Sequence, residues 1–195
     1  MAGKAGKGRL GNAPRKAERP AAGKPKSTRR EDDQGSGALG RPVVGVLYAS
    51  ASDEPVMREC MNVLEAFGIA HETRMISAHR MPEATAAYAR GARRRGLRVL
   101  IGGAGMAAHL PGVLASLTTL PVIGVPLCGS AWEGEDALLS MVQMPAGVPV
   151  ATVAVGKAGA KNAAVLAMQI LALNDPALAK RLEDMKQRME KGEKL

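Results

Sequence analysis

From residue 42 onward, short runs of buried-strand character alternate with segments of helix length, and that alternation leaves few folds open to the chain. PVVGVLYA (42–49) gives way to SASDEP, whose polar residues and proline open a helix over about 54–67, stopped by Gly68. HETRMIS (71–77) reads as a second strand, MPEATAAYARGARRRG as a helix over about 82–95, and RVLIGGA (98–104) as a third strand. AAHLPGVLASL forms a helix with an early proline, LPVIGVPL (120–127) a fourth strand, residues of about 133–142 another helix, and VPVATVAV (148–155) a fifth strand. AKNAAVLAMQILAL (160–173) is strongly helical, and DPALAKRLEDMKQRMEKGEKL opens on Asp-Pro and continues as a charged amphipathic helix.

Apolar strands alternating with helices predict an α/β domain over residues 42–195, with a parallel sheet covered on both faces. The expected architecture is a flavodoxin-like three-layer αβα sandwich, its five-stranded sheet in the order 2-1-3-4-5, with a C-terminal helix. Ligands of such sheets bind beyond the carboxyl ends of the strands, near the switch between the first and third. The loops that bear on function are therefore 49–54, 76–82, 102–111 and 126–133. With aromatic residues at only 2%, the core must be built from Val, Leu, Ile, Ala and Met.

The net charge of +9 resembles a nucleic-acid signal until it is divided along the chain. Residues 1–41 carry eleven Lys or Arg against four Asp or Glu, a net of +7, and the rest of the chain carries only +2. This tail is rich in Gly, Ala, Pro and charge and has little to bury, so a disordered, solvated extension is expected, without the apolar core of a secretory signal. Few aromatics also remove the stacking platforms that single-stranded nucleic acid needs, and no nucleic-acid partner is expected.

Residues 99–132 contain no Asp, Glu, Lys or Arg. Glycines, prolines and His109 interrupt them, so no membrane span is predicted. A helix near 107–117 without a charged face is expected to be covered by another subunit, the alternative being cover within the chain, for example by the C-terminal helix. Cys60 and Cys128 make neither a disulfide framework nor a metal-ligand spacing, which fits a reducing, cytoplasmic setting. Cys128, after an apolar run, could line a pocket, but the favoured expectation is a small buried hydrophobe.

Three loops carry chemistry. Ser50, Ser52 and Asp53 follow the first strand: hydroxyls at a helix start suit an anion, while the carboxylate suits paired sugar hydroxyls, although Ser-x-Ser-Asp is also an ordinary N-cap. Ser77, His79 and Arg80 follow the second strand. An imidazole with an ordinary pKa of ~6.5 can take and return a proton near neutrality, and a guanidinium is a permanent anion clamp. In the third loop, GGAGMAAHLPG, glycines Gly102, Gly103 and Gly105 would let a flat ligand lie against bare backbone. Their spacing does not form the dinucleotide fingerprint, so no nicotinamide cofactor is expected.

SASD, SAHR with a proline two residues on, GAG-x-AAHLPG and the later VQMPAGVPVATVAVGKAGAKNAA together resemble the PurE family, the N5-carboxyaminoimidazole ribonucleotide mutases of purine biosynthesis, over about residues 42–185. The resemblance implies an isomerase free of cofactor and metal, acting on a small ribonucleotide. It moves a carboxylate from an exocyclic nitrogen to a ring carbon of an aminoimidazole ribonucleotide. It implies His79 as general acid and base, Ser50, Ser77 and Arg80 as phosphate and substrate contacts, and Asp53 as the ribose contact. Ala104, Gly105, His109 and Leu110 would surround the base and the migrating carboxylate, and the assembly implied is a homo-octamer. A related carboxylase that uses free carbon dioxide, and a catalytically impaired nucleotide-binding paralogue, are the alternatives. The chain departs from the family pattern at Ala49 and Met106, where Gly is usual, at Met81, where Thr is usual, and at Glu54 and Cys128. A left-handed backbone at Ala49 would strain its methyl group.

Overall fold

The computed structural model describes residues 40–195, and the tail expected to be disordered lies almost wholly outside the described residues. Arg41, assigned to that tail, belongs to the folded part. Its Nε donates to the carbonyl of Arg95 at 2.6 Å and its Nη2 to that of Arg94 at 3.1 Å.

Five strands, β1 (Val44–Tyr48), β2 (His71–Met75), β3 (Val99–Gly105), β4 (Val122–Leu127) and β5 (Ala151–Thr152), form one parallel sheet in the order β2-β1-β3-β4-β5. Six α-helices connect and cover them: α1 (Glu54–Ala66), α2 (Pro82–Arg95), α3 (Leu110–Leu117), α4 (Glu135–Val142), α5 (Gly156–Ala172) and α6 (Pro176–Glu190). The predicted sheet order and parallel sense are both present.

The strands read as continuous apolar runs because each feeds two cores. Along β1, Val44 and Val46 face α1 and α5, whereas Leu47 faces α2 and α3. β3 divides in the same way, with Val99 and Ile101 on one side and Leu100 and Ala104 on the other. Each Val, Leu or Ile so buried contributes about 1.5–3 kcal/mol of transfer free energy. β2 departs from the expected apolar run: HETRM is half-buried to exposed along its length, as suits an edge strand.

Local signals fix the helix ends. Pro82 opens α2, and Gly96 in a left-handed conformation (φ 100°) ends it. The Asp175 carboxylate accepts from the Leu178 amide at 3.0 Å and caps α6, with Pro176 at its first turn.

Two boundaries differ from expectation. The fifth strand, expected over 148–155, is reduced to Ala151–Thr152, because Pro149 has no amide to donate and β5 has a neighbour on one side only. Helix α5 begins at Gly156 rather than near 160. The start GKAG reads as a breaker, yet a Cβ on Gly159 would overlap the carbonyl of Ala154, so the glycine lets the helix lie against the preceding chain.

The uncharged helix α3 is covered on its inner side by the sheet and α2, through Leu110, Pro111 and Leu114, while α6 packs on α5. Its cover within the chain is thus α2 and not the C-terminal helix. Among the described residues, no helix is long and apolar enough to cross a membrane.

Candidate active site

The parallel register brings the carboxyl ends of β1, β2 and β3 level, and the loops that leave them surround a cavity of about 430 Å³. Every residue expected at the site lines it: Ser50 and Asp53, then Ser77, His79 and Arg80, then Ala104, Gly105, His109 and Leu110.

After β1 the chain turns through a single 3-10 turn, Ala51–Asp53, before α1. The Ser50 amide donates to Oδ2 of Asp53 at 2.9 Å, and the Ser50 hydroxyl donates to the same oxygen at 3.0 Å. Ser50 and Ser52 share a further hydroxyl bond of 2.6 Å. Cap and site are therefore one structure: the capping bonds fix a buried carboxylate by one oxygen and leave Oδ1 to other partners.

After β2, Ser77 is buried, and its hydroxyl accepts from the Arg80 amide at 3.4 Å while its carbonyl accepts from the Met81 amide at 2.8 Å. This tight turn throws His79 and Arg80 outward. The Arg80 guanidinium reaches back to the Ala49 carbonyl at 3.1 Å and so ties the second loop to the first. Ala49 is not among the residues with positive φ, so its methyl is unstrained, contrary to the concern its sequence raised.

The third loop supplies a contact that sequence alone did not predict. Nε2 of His79 and Nδ1 of His109 lie 2.8 Å apart, with the rings edge-on at 87°. A separation this short is a hydrogen bond, in which one of the two nitrogens donates and the other accepts. His109 stands at the start of α3, on the loop that leaves β3, so its placement follows from the topology and its pairing from geometry alone.

The glycines behave differently from expectation. Gly102 and Gly103 lie inside β3, where a Cβ would meet Pro111 and Met57 respectively; they admit helices, not a ligand. Only Gly105 of the three lines the cavity. Cys128 corrects another expectation: it is exposed and lines the cavity, its Sγ donating to the Glu133 carbonyl at 3.2 Å, and the buried cysteine is Cys60. Met106, also in the lining, holds a left-handed backbone with φ 56° where the family pattern has glycine.

The lining therefore presents one guanidinium, one carboxylate fixed by one oxygen, two coupled imidazoles, and small apolar walls from Ala49, Ala78, Ala104 and Ala107. Such a set can hold an anionic, hydroxyl-bearing molecule and move a proton on it. Among the described residues, no cluster of His, Cys, Asp and Glu has the grouping to hold a metal ion.

Comparison with known proteins agrees with this chemistry. Residues 43–192 match the family model described as AIR carboxylase. The chain is 53% identical over 154 residues to the N5-carboxyaminoimidazole ribonucleotide mutase of Pyrococcus horikoshii, covering 77% of this chain and 86% of that protein. It is 50% identical over 147 residues to the enzyme of the same name from Bacillus subtilis, covering 75% of this chain and 91% of that one. The crystal structure of Treponema denticola PurE superposes with a TM-score of 0.68 at 29% identity, over 77% of this chain and 94% of that one. With a family model matched from the start of the first strand to beyond the end of α6, and relatives identical at half of the aligned positions, the chain belongs to the PurE, or AIR carboxylase, family.

Proposed function

We propose that this chain converts N5-carboxyaminoimidazole ribonucleotide to its 4-carboxy isomer by decarboxylation and recarboxylation, with His79 as the general acid and base. The observation that carries the reading is the His79–His109 pair at 2.8 Å, set in one cavity with Arg80 and Asp53. The names of relatives at half identity supply the substrate.

In this mechanism, Arg80 and the Ser50 and Ser77 hydroxyls take the phosphate, and the free oxygen of Asp53 takes the ribose hydroxyls. Ala104, Gly105, His109 and Leu110 flank the base. His79, protonated, gives its proton to the substrate as the carbon–nitrogen bond to the carboxylate breaks, which releases carbon dioxide and leaves an electron-rich ring. The ring carbon then attacks the retained carbon dioxide, and His79 removes the proton from that carbon. One proton leaves the imidazole and one returns. His109 holds the His79 ring in a productive orientation between the two steps. The alanine walls keep the released gas near the carbon that receives it, since a molecule lost to solvent would have to be recaptured at great entropic cost.

The reaction needs no cofactor in this reading. The reduced thiols suit a cytoplasmic setting, and assembly as an octamer would cover the uncharged outer side of α3. A second reading, direct carboxylation of aminoimidazole ribonucleotide, draws on the family description AIR carboxylase. Assays of purified protein separate them. Isomerisation of the N5-carboxylated nucleotide as sole substrate supports the mutase; turnover of aminoimidazole ribonucleotide with low bicarbonate, and none of the isomer, overturns it.

A further inference from the structure

At the opposite end of the sheet from the active site, α2 ends in a concentration of guanidinium groups that the mechanism does not use. We propose that the cleft between this end of α2 and the chain entering β4 binds a small, multiply phosphorylated anion.

The cleft, of about 590 Å³, is lined by Arg90, Arg93 and Arg94 on one side and by the Ser116–Thr119 segment on the other. Positions 90, 93 and 94 share one face of a helix, so all three arginines border the same cleft. A second cleft of about 450 Å³ shares Arg93 and adds Arg98 and Asn174. Among the described residues, no Asp or Glu lines either cleft, and Arg90, Arg93, Arg94 and Arg98 enter no ion pair. The facing segment belongs to the stretch 99–132, which contains no charged residue of either sign, so it neither neutralises nor adds to the cationic surface.

Two structural explanations for these arginines are already accounted for. Cations favour helix C-termini, but the last carbonyls of α2 are bonded by Arg41, at 2.6 and 3.1 Å, and by the Gly96 amide at 3.1 Å. Arg95, the neighbour in sequence, serves the fold by pairing with Glu72 at 3.1 Å and stacking on Tyr88 at 4.4 Å. The remaining guanidinium groups sit on exposed residues with no acidic partner among the described residues, and an anion held between them would reduce whatever repulsion solvent leaves unscreened.

Phosphate is the chemistry that fits. Planar forked donors match its oxygens, and a cluster spread over two adjoining clefts matches a ligand with more than one phosphate. No aromatic side chain lines either cleft to stack a base, which disfavours single-stranded nucleic acid.

Titration calorimetry of the full chain with inorganic tripolyphosphate tests this. Expected is saturable binding with Kd below about 1 mM that weakens as salt is raised. Arg93→Gln with Arg94→Gln should weaken it by about tenfold or more, Arg93→Lys with Arg94→Lys by less, and Arg80→Ala should leave it in place. Adenosine triphosphate in a parallel titration asks whether a nucleoside adds affinity; with no aromatic side chain to hold a base, it should bind no more tightly than tripolyphosphate. The proposal is overturned by an absence of saturable binding in the unsubstituted protein. It is equally overturned by binding that survives the double Gln substitution, by binding that only Arg80→Ala removes, or by tighter binding of a glutamate oligomer. Circular dichroism of each variant, together with an unchanged isomerase rate in the Arg93 and Arg94 variants, keeps a folding defect distinct from a lost site.

Discussion

His79 and His109 come from loops 30 residues apart, yet their ring nitrogens meet at hydrogen-bond distance, 2.8 Å. His79→Asn keeps the ring's approximate volume and removes its titratable nitrogens, so turnover should fall by about 10²–10⁴-fold with the fold intact; steady-state assays beside circular dichroism check this. The cysteines give a second contrast. Burial pushes the Cys60 thiol from its ordinary 9.0 up to about 12, whereas Cys128 is exposed. One thiol per native chain should therefore react with an aromatic disulfide at about pH 8, and a second only after denaturation, because the thiolate is the nucleophile. The sign for stability follows: the contribution of the buried thiol is complete below pH 9.0 and is lost progressively as the pH climbs toward about 12. Met106, at φ 56°, pays a steric penalty that glycine avoids. Met106→Gly should raise stability by up to about 1 kcal/mol in urea unfolding, the gain being limited by the added freedom of the unfolded chain.

Among the elements, those marked by both periodicity and punctuation were legible. Pro82 and Gly96 bracket α2 just where residue pattern predicts it, and the alternation of β1 between two cores explains its unbroken apolar run. The alternation of strands and helices marked a parallel sheet, and the order β2-β1-β3-β4-β5 is the common arrangement for five such strands. Less legible were features set by contacts distant in sequence. Gly102 and Gly103 look alike in the chain, and only packing reveals that Pro111 and Met57 occupy the space above them. Cys128 follows a buried run, but the strand ends one residue before it, at Leu127. The His79–His109 bond depends on how two loops meet, which no local pattern records. The early start of α5 makes the same point as a prediction. Gly159→Ala, favourable by helix propensity alone, should destabilise the protein by about 1–3 kcal/mol, because its methyl meets the Ala154 carbonyl. Chemical denaturation measures the difference.

For the whole molecule, all the residues assigned to the chemistry fall between positions 49 and 129 of the sequence, and none belongs to the basic extension. Removal of residues 1–39 should leave kcat and KM for isomerisation within about twofold, since it takes away none of the residues assigned to the chemistry; kinetics of the shortened chain at two salt concentrations check this. The sheet itself sets a further constraint. One edge strand, β2, carries Glu72 and Arg74, and the other, β5, is two residues long beside a proline. Neither border offers a long, flat ladder of free amides and carbonyls. Strand addition is therefore a poor route to larger order, whether orderly or amyloid-like.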